Sequence, residues 1–232
     1  MQILLVGDGK AAYETYDKLL QCASSHPTKA ITDFTNKSVL READVIIDVR
    51  FDEAPFHYEQ YTEMPHNKIL LLGCLKRQLA ALESWEPQIK CIVGGFNNFP
   101  TFINRSLWEV TYLHEHHRPI LSDTLTQMGI EHRFVADRIG MVTPRIVAMI
   151  INEAALTLQE KTANIADIDQ AMKLGTNYPY GPFEWADRIG ITAVYELLDA
   201  LYKDTHDERY KIAPLLKTHY LRQQNFLDTT TV

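Results

Sequence analysis

The chain has 232 residues and a net charge of −7, with 46% hydrophobic and 23% charged residues. This composition is typical of a folded globular protein that buries a core in one large or two modest domains. The negative charge argues against a nucleic-acid binder, and no apolar run approaches the length of a membrane span. Three cysteines without CxxC spacing predict neither a disulfide framework nor a zinc site, so we expect no metal and a reducing, cytoplasmic location.

The first half of the chain alternates short apolar runs with amphipathic segments. The apolar runs are continuous rather than alternating, as expected for strands that helices cover on both faces. Strands separated by helices indicate a parallel sheet. Strands are predicted at residues 3–6, 30–33, 44–48, 68–72 and 88–93, with a sixth candidate at 132–136, and the first helix at 11–22.

The pattern changes after about residue 137, where strand candidates end and helical spacing takes over. Thr143 and Pro144 are interpreted as the N-cap and first residue of a helix, and Gly175 as a C-cap. Helices are predicted at 145–161, 167–174, 182–190, 192–203 and 213–223. The sequence therefore predicts an α/β Rossmann-type domain over residues 1–136 and an all-helical domain over residues 137–232.

A nucleotide-binding fingerprint follows the first predicted strand. Gly7, Gly9 and Ala12 fit the pattern G-x-G-x-x-G/A, which permits a tight turn, a close approach to a pyrophosphate and close helix packing. Asp33, at the end of the second predicted strand, would accept hydrogen bonds from a ribose 2′-hydroxyl, so NAD is favoured over NADP as cofactor. The alternative is a glycine turn that binds no ligand.

The most specific motif lies in the helical half. Residues 167–184 read DIDQAMKLGTNYPYGPFE, which resembles the signature of the 3-hydroxyacyl-CoA dehydrogenase C-terminal domain. Residues 137–145 (DRIGMVTPR) resemble the family's entry to the first long helix of that domain. The resemblance implies that the signature is largely structural. Its glycines permit sharp reversals and its prolines stiffen the loop.

The resemblance implies hydride transfer between NAD and C3 of a 3-hydroxyacyl-CoA, at a site in the cleft between the domains. In that family an imidazole takes the hydroxyl proton and a carboxylate orients the imidazole. Glu109 matches the carboxylate, while the imidazole position falls on Phe96 or Asn97, depending on the alignment. Glu109 and Asn97 are therefore the predicted catalytic residues. Pro144 replaces the family's substrate-binding asparagine, and residues 73–76 (GCLK) replace its serine-rich turn.

Two other groups of side chains carry weaker hypotheses. One histidine of His114, His116 and His117 would supply the missing base if its loop folds towards Glu109; the alternatives are a metal site and a solvated turn. Cys74 is either reactive or packed as a small apolar side chain.

Two functions remain open at this stage. The first is an NAD-dependent oxidoreductase of a 3-hydroxyacyl-CoA or a similar 3-hydroxy acid. The second is a catalytically inactive relative that binds NAD or acyl-CoA, or acts as a dimeric partner protein. A homodimer is expected from the resemblance, and the apolar residues Met149, Ile150 and Ile151 are compatible with burial of the long helix on two sides. Neither a nucleic acid nor a membrane is expected as a partner.

Overall fold

A computed structural model describes residues 1–34, 37–53, 59–62, 64–85 and 89–228, in two compact units, Met1–Met141 and Val142–Val232. The sequence placed the boundary after residue 136. The five residues that follow are tied to the α/β unit by hydrogen bonds. The carboxylate of Asp137 accepts from the backbone N–H groups of Leu79 (2.9 Å) and Ala80 (3.0 Å), and Gly140 N donates to Leu75 O (2.7 Å).

The α/β unit contains a seven-stranded sheet in the order β2-β1-β3-β4-β5-β6-β7. The strands are β1 Ile3–Val6, β2 Thr28–Ile31, β3 Val45–Asp48, β4 Ile69–Gly73, β5 Ile92–Phe96, β6 Leu107–Tyr112 and β7 Glu131–Phe134. Neighbouring strands are parallel except β5 and β6, which are antiparallel. The predicted parallel sheet is therefore confirmed for β1–β5, while β6 and β7 run in the opposite direction, parallel to each other.

The strand predictions differ from the structure in several details. β5 runs from Ile92 to Phe96 rather than over residues 88–93. β6 was not predicted, because its residues LWEVTY mix apolar and polar side chains and form no continuous apolar run. β2 begins at Thr28 and ends at Ile31, two residues earlier than predicted. It lies at the edge of the sheet and is nowhere fully buried, so apolarity alone does not locate it.

Helices connect these strands: α1 Gly9–Cys22, α2 Lys37–Glu42, α3 Glu59–Thr62, a 3-10 turn at Leu79–Trp85, and α4 His117–Gln127. The core lies between the sheet and these helices, and β1, β3 and β4 are buried along their whole length. Trp108 stacks on Phe96 with ring centroids 4.9 Å apart, which fixes β6 against β5.

The second unit contains helices and no strand over residues 142–228, as predicted. Its helices are α5 Thr143–Gln159, α6 Ile165–Thr176, α7 Pro182–Ile189, α8 Ile191–Thr205 and α9 Pro214–Arg222, with a 3-10 turn at Glu208–Tyr210. Gly175 lies inside α6, and the left-handed residue after that helix is Asn177 (φ 55°), so the predicted C-cap was wrong. Thr143 is already helical, and Val142 is the N-cap. No helix in the described ranges is both long and apolar enough to cross a membrane.

Candidate functional site

The glycine turn after β1 uses its three small residues for three different reasons. Gly7 has φ 130°, and a Cβ atom placed on it would lie 2.4 Å from Val49 Cγ2, so no side chain fits. Gly9 has φ 73°, but the space beside it is open, with nothing within 4 Å of an added Cβ. Ala12 is buried against the core. The second position of the motif is thus the one at which the backbone faces open space, as the approach of a ligand requires.

The start of α1 completes this turn. Its N-cap residue, Asp8, has extended backbone angles and makes no side-chain capping hydrogen bond. The helix N-terminus is therefore not capped by a carboxylate of its own. Backbone N–H groups and the positive end of the helix dipole at such a terminus favour an anion. These residues fit the diphosphate of a dinucleotide.

Two charged side chains stand at the same edge of the sheet. Pairing of Val6 with Ile31 brings the ends of β1 and β2 together, and the half-buried Asp33 follows two residues after β2. Arg50, two residues after β3, extends towards β2, where its guanidinium donates a hydrogen bond to Thr32 O. The structure thus places Asp33 near the glycine turn, at the edge of the sheet, and adds a nearby cation, Arg50, that the sequence analysis missed.

Asn97 and Glu109 are brought together where β5 meets β6. The Asn97 N–H donates to the Glu109 carbonyl (3.0 Å), and the side-chain oxygen of Asn97 accepts from Phe99 N (3.0 Å). Asn97 is buried and Glu109 is half-buried. Phe96 is fully buried in its stack on Trp108. Neither residue at the family's imidazole position, Phe96 or Asn97, carries a group that accepts a proton near neutral pH.

The three clustered histidines lie towards the opposite end of β6. Leu113, just before the histidines, donates its N–H to Val93 O (3.2 Å) near the beginning of β5. Glu109 instead accepts from Asn97, the residue that follows the end of β5. Glu109 and Leu113 are four residues apart along an extended chain, which corresponds to a separation of roughly 13 Å. His117 is buried, with Nδ1 3.2 Å from both Val93 N and Val93 O. The structure does not bring these histidines beside Glu109, and no metal-binding cluster was found among the described residues.

Two ionisable groups meet at the turn after β4: the buried Cys74 of that turn, and the half-buried Asp52 from the segment after β3. Cys74 packs beside Gly95, where an added Cβ would lie 2.1 Å from its sulfur, and burial raises the pKa of its thiol well above the usual value. This environment favours the packing role over reactivity. Asp52 accepts a hydrogen bond from Leu75 N (2.6 Å) through Oδ2, while its buried Oδ1 has no partner among the described residues. Burial raises the pKa of Asp52 to about 6.

An open groove of about 880 Å³ lies elsewhere, between α4 and β7. Its lining includes Arg118, Ser122, His132 and Arg133, and none of the residues of the glycine turn. It contains no group that the dinucleotide motif or the family resemblance predicts. The candidate site is therefore the sheet edge beyond β1, β2 and β3, together with the pair Asn97 and Glu109.

The signature segment in the helical unit has a structural explanation. The carboxylate of Asp169 in α6 accepts hydrogen bonds from Phe183 N (2.8 Å) and Glu184 N (3.0 Å), and so caps the start of α7. Gly181 lies against this carboxylate, since an added Cβ would meet Asp169 Cβ at 2.3 Å. Lys173 then pairs with Glu184 (2.7 Å) across the same corner. The motif joins two helices.

Comparison with known proteins identifies this unit. Residues 140–227 match the family model of the 3-hydroxyacyl-CoA dehydrogenase C-terminal domain. The 3-hydroxyadipyl-CoA dehydrogenase of Escherichia coli is 42% identical over 102 residues, which are 44% of this chain and 22% of that protein. The 3-hydroxybutyryl-CoA dehydrogenase of Bradyrhizobium diazoefficiens is 36% identical over 92 residues, 40% of this chain and 31% of that protein. The matches thus span less than a third of these curated relatives.

A solved structure extends the likeness to the whole fold. The (S)-3-hydroxybutyryl-CoA dehydrogenase PaaH1 of Ralstonia eutropha superposes with a TM-score of 0.73 at 20% identity, covering 95% of this chain and 93% of that chain. The predicted fold class, a Rossmann-type unit followed by a helical unit of this dehydrogenase type, is confirmed. The resemblance noted in the sequence is confirmed for residues 140–227, which match this C-terminal domain family.

Proposed function

We propose that the chain is an NAD-dependent oxidoreductase that acts on the C3 hydroxyl of a 3-hydroxyacyl-CoA or a similar 3-hydroxy acid. The observation that carries this proposal is the match of residues 140–227 to the dehydrogenase C-terminal domain. Relatives named as 3-hydroxyadipyl-CoA and 3-hydroxybutyryl-CoA dehydrogenases support this substrate class. The open glycine turn supports a dinucleotide cofactor.

In this proposal the first three strands hold the cofactor. Gly7 shapes the turn, Gly9 lets the diphosphate approach the backbone at the start of α1, and Ala12 keeps the helix close to the sheet. The Asp33 carboxylate accepts hydrogen bonds from the ribose hydroxyls. When bound there, NAD supplies the acceptor for the substrate's hydride.

In this proposal the proton of the C3 hydroxyl is transferred at the junction of β5 and β6. We assign Glu109 as its acceptor, since a carboxylate is the group at this place that can take a proton from the C3 hydroxyl. The side-chain oxygen of Asn97 is engaged with Phe99 N, which holds the amide in place. Its NH₂ group would donate to the substrate oxygen and stabilise developing negative charge.

The experiment is to follow NADH absorbance with acetoacetyl-CoA as acceptor. We expect oxidation above the no-enzyme rate, and Glu109→Gln should lower that rate by about 100-fold or more, within the range for loss of a general acid–base group. Glu115→Gln, which changes an exposed carboxylate paired with Arg118, is the matched control and should leave the rate unchanged. The proposal fails if the folded protein shows no oxidation while an active 3-hydroxybutyryl-CoA dehydrogenase turns over in parallel.

A second candidate is a catalytically inactive relative that binds NAD or acyl-CoA, or acts as a dimeric partner protein. The observation that favours it is the pair Phe96 and Asn97 at the imidazole position, with the histidine cluster towards the other end of β6. This candidate predicts that NADH binds without being oxidised, so the same assay combined with a binding titration separates the two.

A homodimer is part of the proposal. Val142 (47% exposed), the N-cap of α5, lies one turn before Ile146 (53% exposed) on the same face of the helix, and the half-buried Ile150 continues this row. Burial of this row against a second copy would remove apolar surface from water. Sedimentation velocity should give a dimer at micromolar concentration, and Ile146→Glu should shift it to monomer. A wild-type monomer under these conditions would contradict the assignment.

A further inference from the structure

The side chain of Arg50 crosses the ends of neighbouring strands in the sheet. It belongs to the segment after β3, yet its guanidinium reaches the residue after β2 by donating to Thr32 O. Its stem lies along the glycine turn, because a Cβ atom on Gly7 would lie 3.1 Å from Arg50 Cγ. The side chain therefore passes the end of β1, which lies between β3 and β2 in the sheet.

Hydrogen bonds hold Arg50 both at its backbone and at its guanidinium. The Arg50 N–H donates to the carboxylate of Asp48 (2.8 Å), and Asp48 is itself buried and hydrogen-bonded to the Tyr61 hydroxyl. A guanidinium has five N–H donors in a planar fork, and that of Arg50 makes one hydrogen bond to the described residues. Such a fork matches the geometry of a phosphate.

We propose that Arg50 binds the 2′-phosphate of a phosphorylated dinucleotide, so that this site takes NADP(H) as well as NAD(H). The inference rests on the proposed dinucleotide site. The guanidinium bonds the carbonyl of Thr32, the residue next to Asp33, and it thus lies at the ribose end of the site. Asp33 alone repels a 2′-phosphate, and Arg50 supplies the opposite charge at the same place.

A contact to the diphosphate is the main alternative for the same cation. The diphosphate is expected over Gly9 and the start of α1, whereas the hydrogen bond of Arg50 directs its guanidinium to β2. The two assignments differ in their consequences. A diphosphate contact strengthens NADH and NADPH equally, while a 2′-phosphate contact strengthens NADPH alone.

The test is to titrate the wild-type chain, Arg50→Ala and Arg50→Lys with NADH and NADPH, with binding followed by nicotinamide fluorescence. Adenosine 2′,5′-bisphosphate and 5′-AMP, followed by calorimetry, repeat the comparison without the nicotinamide. We expect wild-type affinities for NADPH and NADH to agree within about 10-fold. Arg50→Ala should weaken the binding of NADPH by about 10- to 100-fold, as expected for the loss of a charge-assisted hydrogen bond. The binding of NADH should weaken by less than about 3-fold.

Arg50→Lys should restore part of the NADPH affinity, because it keeps the charge but loses the fork. Arg133→Ala, on β7 at the far edge of the sheet, is the matched control and should change neither affinity. The inference is overturned if Arg50→Ala weakens both dinucleotides equally, or if NADH binds while NADPH binds more than about 100-fold more weakly. Failure of both dinucleotides to bind the folded wild-type chain would instead remove the proposed function and this inference with it.

Discussion

The signature segment of the helical unit and the sheet edge of the α/β unit differ in how completely their polar groups are hydrogen-bonded within the described residues. Both oxygens of Asp169 accept backbone N–H groups, and Gly181 makes room for that contact. Beside β4, by contrast, Asp52 buries one oxygen without a partner in the described residues, and Gly9 faces open space. The first arrangement stabilises a fold, and the second is typical of a place where a ligand binds.

The largest effect is expected where the helical signature is broken. Asp169→Ala should lower the free energy of unfolding by about 4 kcal/mol, because two N–H groups at the start of α7 lose a charged acceptor. Chemical denaturation measures this, and hydrogen exchange should show the amides of Phe183 and Glu184 losing protection. Asp169→Asn keeps one acceptor and should cost less. Equal stability of all three chains would show that the carboxylate does not hold this corner.

Substitutions of the two glycines of the turn should have different effects: Gly7→Ala should mainly lower stability, and Gly9→Ala should mainly weaken NADH binding. Gly7→Ala places a Cβ 2.4 Å from Val49 Cγ2 at a φ of 130°, and we expect a loss of about 3 kcal/mol from clash and strain. Gly9→Ala has room and should cost about 1 kcal/mol, the strain of a positive φ alone. Yet Gly9→Ala should weaken NADH binding, because the new methyl group would occupy the approach of the diphosphate. Unchanged NADH affinity in Gly9→Ala would argue for a turn without a ligand.

A smaller effect is expected from the pH dependence of stability at Asp52. Its pKa in the folded state is raised to about 6 by burial, so the folded state binds the proton more tightly than the unfolded state does. The stabilisation is complete below the unfolded pKa and is lost as the pH rises through about 6. The free energy of unfolding should fall by about 2 kcal/mol between pH 4 and pH 7, a value reduced for partial exposure.

Asp52→Asn should remove this fall in the free energy of unfolding between pH 4 and pH 7. Chemical denaturation at a series of pH values measures it. Asp44→Asn provides a contrast of opposite sign, because a hydrogen bond from Gln2 N lowers the pKa of Asp44 in the folded state. Stability that depends on Asp44 is present above its unfolded pKa and is lost as the pH falls. If the Asp52→Asn slope equals that of the wild type, burial of Asp52 does not govern the acid response.

The sequence predicted the parts of the fold whose signals are local. Continuous apolar runs located β1, β3 and β4, and helical spacing located the five helices described in residues 142–228. β6 was missed because its half-exposed residues form no apolar run. At the site, the glycine pattern located Gly7 and Gly9, but Arg50 had no local signal. Its role depends on the path of its side chain across β1 to β2, which only the folded chain defines.

The central claim is that the sheet edge beyond β1 and β2 binds a dinucleotide through Gly9 and Asp33. It is tested most directly by titrating the purified chain with NADH and following nicotinamide fluorescence, in the wild type and in Asp33→Ala. We expect saturable binding to the wild type, weakened several-fold in a folded Asp33→Ala chain because the ribose hydroxyls lose a charged acceptor. Absence of saturable binding to the folded wild-type chain, or equal affinity in the two proteins, would contradict the account.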